Sequence, residues 1–193
     1  FAGLIAQSIQ KESLVTQLRE ANAALIAHSY TDALTGLPNR RAIFEDLTTL
    51  FSLARHLKRN AIIAFIDLDD FKLINDRYGH EAGDQFLIEV GKRLTEEKQQ
   101  DDIIGRLGGD EFLVASLSQP HQDGDNAQLT LLKTRLSACI AGEYWLGSVH
   151  IIYPGASFGV IEVDPAATDP DSALRAADVA MYQDKKGKSK SRF

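Results

Sequence analysis

Residues 106–112 read Arg-Leu-Gly-Gly-Asp-Glu-Phe, with an apolar run on either side. Paired glycines supply the positive φ angles of a tight two-residue turn, so this stretch predicts a β-hairpin that turns at Gly108-Gly109. Asp110 and Glu111 then stand at the hairpin tip. Neighbouring side chains of an extended segment point to opposite faces, so we expect the two acids to have different surroundings. Taken alone, acids at an exposed turn are usually just solvated.

A second cluster of acids follows the most hydrophobic part of the chain. Residues 61–66 read Ala-Ile-Ile-Ala-Phe-Ile and predict a strand buried on both faces. The strand ends in Asp67-Leu68-Asp69-Asp70. Three carboxylates this close repel one another, and burial raises their pKa values unless a cation is present. A solvated loop is the alternative interpretation, and the sequence that follows favours a metal site.

Composition indicates one domain with an appendage. The chain has 193 residues, of which 44% are hydrophobic and 25% charged. No apolar run approaches the roughly 20 residues of a membrane span, and we expect no membrane contact by this segment. The net charge of −6 argues against nucleic acid as a partner, although it allows a nucleotide. The single cysteine, Cys139, fits a reducing compartment and has the helical spacing of a core thiol.

Residues 1–29 predict one amphipathic helix. Its apolar positions Leu14, Leu18, Ala21 and Leu25 have the spacing of a short coiled-coil seam. The helix either packs on its own domain or forms a stalk that joins an upstream sensor domain and brings two copies together. We favour the stalk, because a complete domain begins without it at residue 30 and extends to residue 193. We expect the chain to be a segment of a longer protein.

Four blocks, which together span most of residues 31–186, resemble the GGDEF family of bacterial diguanylate cyclases. They lie in family order at residues 31–41, 67–84, 108–112 and 174–185. Every fixed position of the second block, from Asp67 to Asp84, is filled. Strands mixed with helices without strict alternation favour an α+β sandwich. The resemblance implies a palm-like βαββαβ core with a mostly antiparallel central sheet flanked by helices.

The resemblance also implies a metal site that joins the two acidic clusters. Mg²⁺ prefers a few hard oxygen ligands completed by substrate phosphates. By resemblance these ligands are Asp67, Asp110 and the backbone carbonyl of Leu68, with Mn²⁺ as an alternative ion. An acid of the hairpin would help to deprotonate the attacking hydroxyl, and the sequence does not choose between Asp110 and Glu111.

The same resemblance assigns the nucleotide-binding residues. Guanine presents two adjacent donors, N1–H and the 2-amino group, which a carboxylate accepts as a fork. Asp84 is the matching carboxylate and Asn75 the matching amide. The other positions assigned to the substrate are His80, Lys72, Lys185, Gly108 and Gly109.

The chain departs from the family pattern at four points. Many members carry an Arg-x-x-Asp pair before the hairpin that binds the product and inhibits the enzyme. Here Asp102 is present but Gln99 replaces the arginine, and an amide cannot form the bidentate, charge-assisted contacts of a guanidinium. In the last block Met181 replaces Leu and Asp184 replaces Ala. The Gly187-Lys188 pair then comes one residue earlier than the family's Gly-Arg.

The sequence therefore predicts a diguanylate cyclase that condenses two GTP into cyclic di-GMP and releases two pyrophosphates. Each domain holds one GTP, so a homodimer is implied. We expect a cytoplasmic location in a bacterium, with membrane anchoring of the full-length protein through its upstream part as an alternative. A catalytically silent GTP-binding module and a purely structural dimerisation unit are the other two readings. The full set of acids argues against both.

Overall fold

The computed structural model describes residues 29–119 and 127–191, and Gln17 as an isolated position. The predicted stalk, apart from Gln17 and residue 29, and most of the polar loop at 118–126 lie outside this part. The described residues form five helices and six strands in an α+β fold. In chain order these are α1 Arg40–Leu57, β1 Ala61–Leu68, α2 Phe71–Tyr78, α3 His80–Glu96, β2 Ile103–Gly108, β3 Glu111–Leu117, α4 Ala127–Ile140, β4 Gly142–Leu146, β5 Val149–Tyr153, β6 Ala156–Val163 and α5 Pro170–Ser191.

The central sheet has the strand order β2-β3-β1-β6, and every neighbouring pair is antiparallel. β3 lies between β1 and β2, so the connection from β1 through α2 and α3 to β2 skips one strand. β1 is therefore flanked on both edges, with Asp67 opposite Glu111 of β3 and Ser157 of β6. This arrangement confirms the predicted palm-like, mostly antiparallel core.

Helices cover both faces of the sheet, as the unbroken apolar run of β1 predicts. Successive side chains of a strand point to opposite faces. Ile62 and Ile66 pack into a cluster with Phe86 of α3 and Leu136 of α4. Ala61, Ile63 and Phe65 pack into a second cluster with residues of α1 and α5. The strand that carries the first acids is thus fixed by two hydrophobic cores.

The hairpin forms, but its turn is one residue later than predicted. β2 ends at Gly108 and β3 begins at Glu111, so Gly109 and Asp110 are the two turn residues. The register shifts between Arg106 and Gly108, which is a bulge that advances the turn. Both glycines have positive φ, 137° at Gly108 and 54° at Gly109, as expected for residues without a Cβ.

The sequence makes three further local predictions, which have different outcomes. Asn39 is predicted to cap the helix that follows it, and this is confirmed, since its side chain accepts hydrogen bonds from Arg41 N and Ala42 N. Phe44 is predicted on the buried face of α1 with the helix's other apolar residues, but it is 41% exposed. Residues 144–152 are predicted as one strand, but they form most of the β4–β5 hairpin, with Gly147 at φ 61° in its turn. No described helix is long and apolar enough to cross a membrane.

Candidate active site

Two distant segments meet where β1 and β3 lie side by side. Asp67 is the register partner of Glu111, and the backbone N–H of Leu68 donates to the carbonyl of Asp110 at 3.1 Å. The acids at the end of the buried strand and those of the glycine turn therefore line one edge of the sheet. The sequence predicted this juxtaposition by resemblance alone, and antiparallel pairing supplies its physical cause.

The two hairpin acids are held in an environment that disfavours their charge. Burial raises the pKa of Asp110, and repulsion from Asp67 raises it further. Burial also raises the pKa of Glu111, with repulsion from Asp110 adding to it, while Arg40 acts in the opposite direction. Arg40 Nη2 lies 3.9 Å from Glu111 Oε2. The cluster thus carries more negative charge than its own residues neutralise.

Lys185 of α5 reaches this cluster directly. Its Nζ donates to Asp67 Oδ1 at 2.6 Å, although the two residues are 118 positions apart in the sequence. Burial disfavours the ammonium, yet the hydrogen bond to Asp67 and attraction to Asp110 and Asp69 raise the pKa of Lys185. The predicted lysine therefore stands beside the predicted metal ligand, where a triphosphate would also be attracted.

The donor set fits a divalent cation that takes part of its coordination from a substrate. Within residues 29–119 and 127–191, no three His, Cys, Asp or Glu side chains are grouped to hold a metal alone. Repulsion from Asp67 helps to raise the pKa of Asp110, and a cation bound to both carboxylates would relieve it. Mg²⁺ is commonly bound through one or two carboxylates plus phosphate oxygens, and this pair with the Leu68 carbonyl matches that pattern.

The predicted guanine ligands lie on the two helices that follow β1. Gly79, with φ 87°, separates α2, which carries Asn75, from α3, which carries Asp84. Gly83 lies so close to Asn75 that a Cβ there would be 1.9 Å from its Oδ1. The missing side chain of Gly83 thus allows Asn75 to lie beside the turn of α3 that contains Asp84. Lys72, His80 and Asp84 are all exposed.

The three acids at the end of β1 have different environments, although their spacing in the sequence suggests one cluster. Asp69 is only 9% exposed and accepts hydrogen bonds from Ser157 Oγ at 2.6 Å and Lys188 Nζ at 3.3 Å. Asp70 is exposed, with a left-handed φ of 59°. Asp69 is therefore neutralised within the fold, and Asp67 is the acid that faces the hairpin.

Sequence reasoning missed the residue that holds the hairpin turn. The guanidinium of Arg106 donates to the carbonyl of Gly109 through Nε at 3.0 Å and Nη2 at 2.6 Å. Its Nη1 forms an ion pair with Asp32 Oδ1 at 2.8 Å. Arg106 is 9% exposed, and a charged residue inside an apolar strand run is the signal that could have indicated this role. It connects the segment before α1 to the hairpin turn.

At the positions of the family's inhibitory pair, the acid is hydrogen-bonded to other residues of this chain. Asp102 is 5% exposed, and its Oδ2 accepts from the backbone N–H of Gln99 at 3.0 Å and from Arg135 Nη2 at 3.1 Å. The carboxylate that would bind product is thus already paired with a cation of α4.

Comparison with known proteins gives consistent matches. The family model described as diguanylate cyclase, GGDEF domain, matches residues 29–191. The chain is 67% identical to diguanylate cyclase DgcP of Escherichia coli (strain K12), over 100% of this chain and 55% of the relative. It is 34% identical to cyclic di-GMP phosphodiesterase PdeR of the same organism, over 90% of this chain and 25% of that protein. The chain thus spans about half of the first relative and a quarter of the second.

A solved structure extends the likeness to the fold. The coiled coil and GGDEF domain of DgcB from Caulobacter crescentus, in complex with c-di-GMP, aligns with a TM-score of 0.81 at 25% identity. The alignment covers 95% of this chain and 95% of that one.

Proposed function

Because this chain belongs to the GGDEF family, we propose that it is a magnesium-dependent diguanylate cyclase acting as a homodimer. Two GTP molecules condense into cyclic di-GMP with release of two pyrophosphates. Each 3′-hydroxyl oxygen bonds to the α-phosphorus of the other nucleotide as the bond to the bridging oxygen of the leaving pyrophosphate breaks. The observation that carries the proposal is the meeting of Asp67 with the hairpin acids beside Lys185.

Metal binding accounts for the concentration of acids. Asp67, Asp110 and the carbonyl of Leu68 hold the ion, which supplies charge neutralisation for the phosphates when bound. Lys185 already contacts Asp67 and adds a second positive charge next to the same phosphates. Chemistry of this kind depends mainly on positioning and on charge neutralisation.

Glu111 is the residue that we assign to accept the proton of the attacking hydroxyl. A carboxylate that ligates a metal is a weak base, which leaves Asp110 to the metal and Glu111 to the proton. The raised pKa of Glu111, due first to burial and then to repulsion from Asp110, brings its basicity closer to that of a useful general base.

Substrate selection comes from the helix pair after β1. Asp84 accepts the two guanine donors and Asn75 adds an amide contact, while His80 and Lys72 line the same side. Adenine offers no comparable pair of donors, so we expect GTP to be preferred over ATP. Gly108 and Gly109 leave room for the nucleotide at the turn.

The homodimer follows from the stoichiometry, since one domain holds one GTP. Residues 1–29, proposed as a stalk below an upstream sensor domain, would bring the two domains together. The match over 95% of the chain to a segment described as coiled coil and GGDEF domain supports this proposal. We assign the reaction to the cytoplasm, where GTP is available.

A turnover assay tests the proposal. The purified chain is incubated with GTP and Mg²⁺ and its products are separated by chromatography, at several protein concentrations. We expect cyclic di-GMP, with a specific activity that falls on dilution as the dimer dissociates. Bound but unchanged GTP would instead indicate a silent module, and absence of GTP binding would indicate a structural unit.

The metal-ligand role of Asp110 has its own test. Asp110→Ala removes one of two carboxylate ligands, and we expect turnover to fall by a factor of about 100 or more. Asp101→Ala is the matched control, since Asp101 is exposed and lies before β2. Wild-type turnover by Asp110→Ala would refute the assignment.

A further inference from the structure

The last turns of α5 carry both lysines that lie near the acids of β1. Lys185 contacts Asp67 at 2.6 Å, and Lys188 contacts Asp69 at 3.3 Å. Both ammonium groups depend on where this end of the helix lies. Asp184 lies immediately before Lys185 and one helical turn before Lys188.

One carboxylate joins this helix end to two other elements. Asp184 Oδ1 accepts from Lys133 Nζ of α4 at 2.6 Å. Asp184 Oδ2 accepts from the backbone N–H of Phe158 in β6 at 3.1 Å and lies 3.5 Å from Lys188 Nζ. Its two oxygens therefore contact α4, the central sheet and Lys188 at the same time.

The contact with Phe158 has a structural reason. β6 is an edge strand of the sheet, and alternate N–H groups of an edge strand point away from its partner. Asp184 satisfies one of these donors, which fixes the helix end along the strand direction. Burial opposes the charge of Asp184. Hydrogen bonds from Lys133 and Phe158, together with attraction to Lys133 and Lys188, nevertheless lower its pKa.

The resemblance makes this residue informative, because the family pattern has alanine at this position. An alanine can form none of these contacts. Lys188, one residue earlier than the family's arginine, is meanwhile surrounded by the carboxylates of Asp69 and Asp184 and the carbonyl of Ala156. Asp184 and Lys188, two of the departures from the family pattern, thus lie in one network.

We propose that Asp184 is a positioning residue for GTP binding, which through its ion pair with Lys133 fixes the end of α5 and so holds Lys185 over the phosphate site. The inference rests on the proposed function, in which Lys185 meets the triphosphate. The alternative is that Asp184 holds the end of α5 in place without affecting the affinity for GTP. The two differ in whether GTP affinity responds when the fold is intact.

The experiment compares Asp184→Asn, Lys133→Met and the double variant. Asparagine keeps an oxygen for the Phe158 N–H but loses the charge that pairs with Lys133 and Lys188. Lys186→Met is the matched control for loss of one exposed lysine, because Lys186 lies on the same helix with its Nζ over the Tyr182 ring at 4.3 Å. KM for GTP, kcat and the Kd for a non-hydrolysable GTP analogue are measured for each.

We expect both single variants to raise KM and Kd about tenfold, the loss of one charge-assisted contact, with kcat within about twofold of wild type. The double variant should resemble either single one, since the anchor breaks only once. Unchanged Kd in both single variants, or fully additive losses in the double, would overturn the proposal.

Two readouts separate this inference from the proposed function. If the wild-type chain makes cyclic di-GMP but Asp184→Asn binds the analogue normally, only the positioning role fails. If the wild-type chain makes no product, the activity fails and the Kd comparison still decides the positioning role. Should Asp184→Asn fail to fold, Lys133→Met carries the test, because Lys133 is 44% exposed and its loss leaves the Phe158 contact in place.

Discussion

Four aspartates have different environments in this protein. Asp67 pairs with Lys185, Asp69 is buried against Ser157 and Lys188, and Asp184 is held by Lys133. Burial, and then repulsion from Asp67, raise the pKa of Asp110 above its usual value. Of the two acids that we assign to the metal, Asp67 is paired with Lys185, whereas burial and repulsion from Asp67 disfavour the charge of Asp110.

This imbalance predicts that Asp110→Asn stabilises the metal-free protein near neutral pH. The variant removes repulsion against Asp67, and we expect a gain of roughly half a kcal/mol after solvent screening. The folded-state pKa of Asp110 is raised, so its ionisation costs wild-type stability as pH rises through that pKa. The gain should therefore shrink as the pH falls through the folded-state pKa and vanish below the pKa of the unfolded state.

Urea unfolding of both proteins in a metal chelator, at pH 7 and near pH 4, measures this difference. Asp101→Asn provides the control, since an exposed acid should give no gain at either pH. A variant that is less stable than wild type at pH 7 would contradict the repulsion argument. Added Mg²⁺ should raise the stability of wild type and have little effect on Asp110→Asn.

At the scale of elements, α5 lies in direct backbone contact with the edge strand. A Cβ at Gly159 of β6 would lie 1.9 Å from the carbonyl oxygen of Ala177 and 2.4 Å from the backbone nitrogen of Met181. Backbone atoms of a packed helix cannot give way as the end of a side chain can. Gly159 therefore sets how closely the helix that carries Lys185 approaches the sheet.

Gly159→Ala is expected to destabilise the protein by about 3 kcal/mol, at the upper end of overpacking effects. The displaced helix should also weaken GTP binding. Gly187→Ala is the matched control on α5, because nothing lies within 4 Å of its added Cβ. Removing a helical glycine there should stabilise the protein by about 0.5–1 kcal/mol. Thermal unfolding of both variants checks the contrast, and equal effects would mean that α5 does not depend on this close approach.

At the scale of the whole molecule, the residues at the positions of the family's inhibitory pair lie apart from the candidate active site. The family's inhibitory pair maps to Gln99 and Asp102, before β2, while the acids of the active site lie at the hairpin and at the end of β1. Here the carboxylate of Asp102 accepts hydrogen bonds from Arg135 and from the backbone N–H of Gln99. We therefore expect both members of the pair to bind product weakly.

We predict that excess cyclic di-GMP inhibits the wild-type chain weakly and Gln99→Arg more strongly. A guanidinium restores the charge-assisted, bidentate contacts that the amide cannot make, which corresponds to about a tenfold lower inhibition constant. Gln100→Arg adds the same charge one position away, and cyclic di-GMP should inhibit this variant no more strongly than wild type. Initial rates at several product concentrations measure this, and equal, strong inhibition of all three proteins would show that the site lies elsewhere.

The sequence by itself determined the family, the α+β palm and the residue types of the site, because motifs with fixed spacing and an unbroken apolar strand are local properties of the chain. It also predicted the hairpin, although a bulge at Arg106 moved its turn to Gly109-Asp110. Such a bulge depends on the pairing of β2 with β3, which local propensity does not contain.

Only the tertiary structure decided which acid has which partner. Asp67 and Asp69 are two residues apart, and their lysines come from α5 at the other end of the chain. The tertiary structure likewise joined Arg106 to Asp32, and Asp184 to Lys133 and Phe158. These contacts form where helices pack on the sheet, and electrostatic partners follow from that packing and not from spacing along the chain.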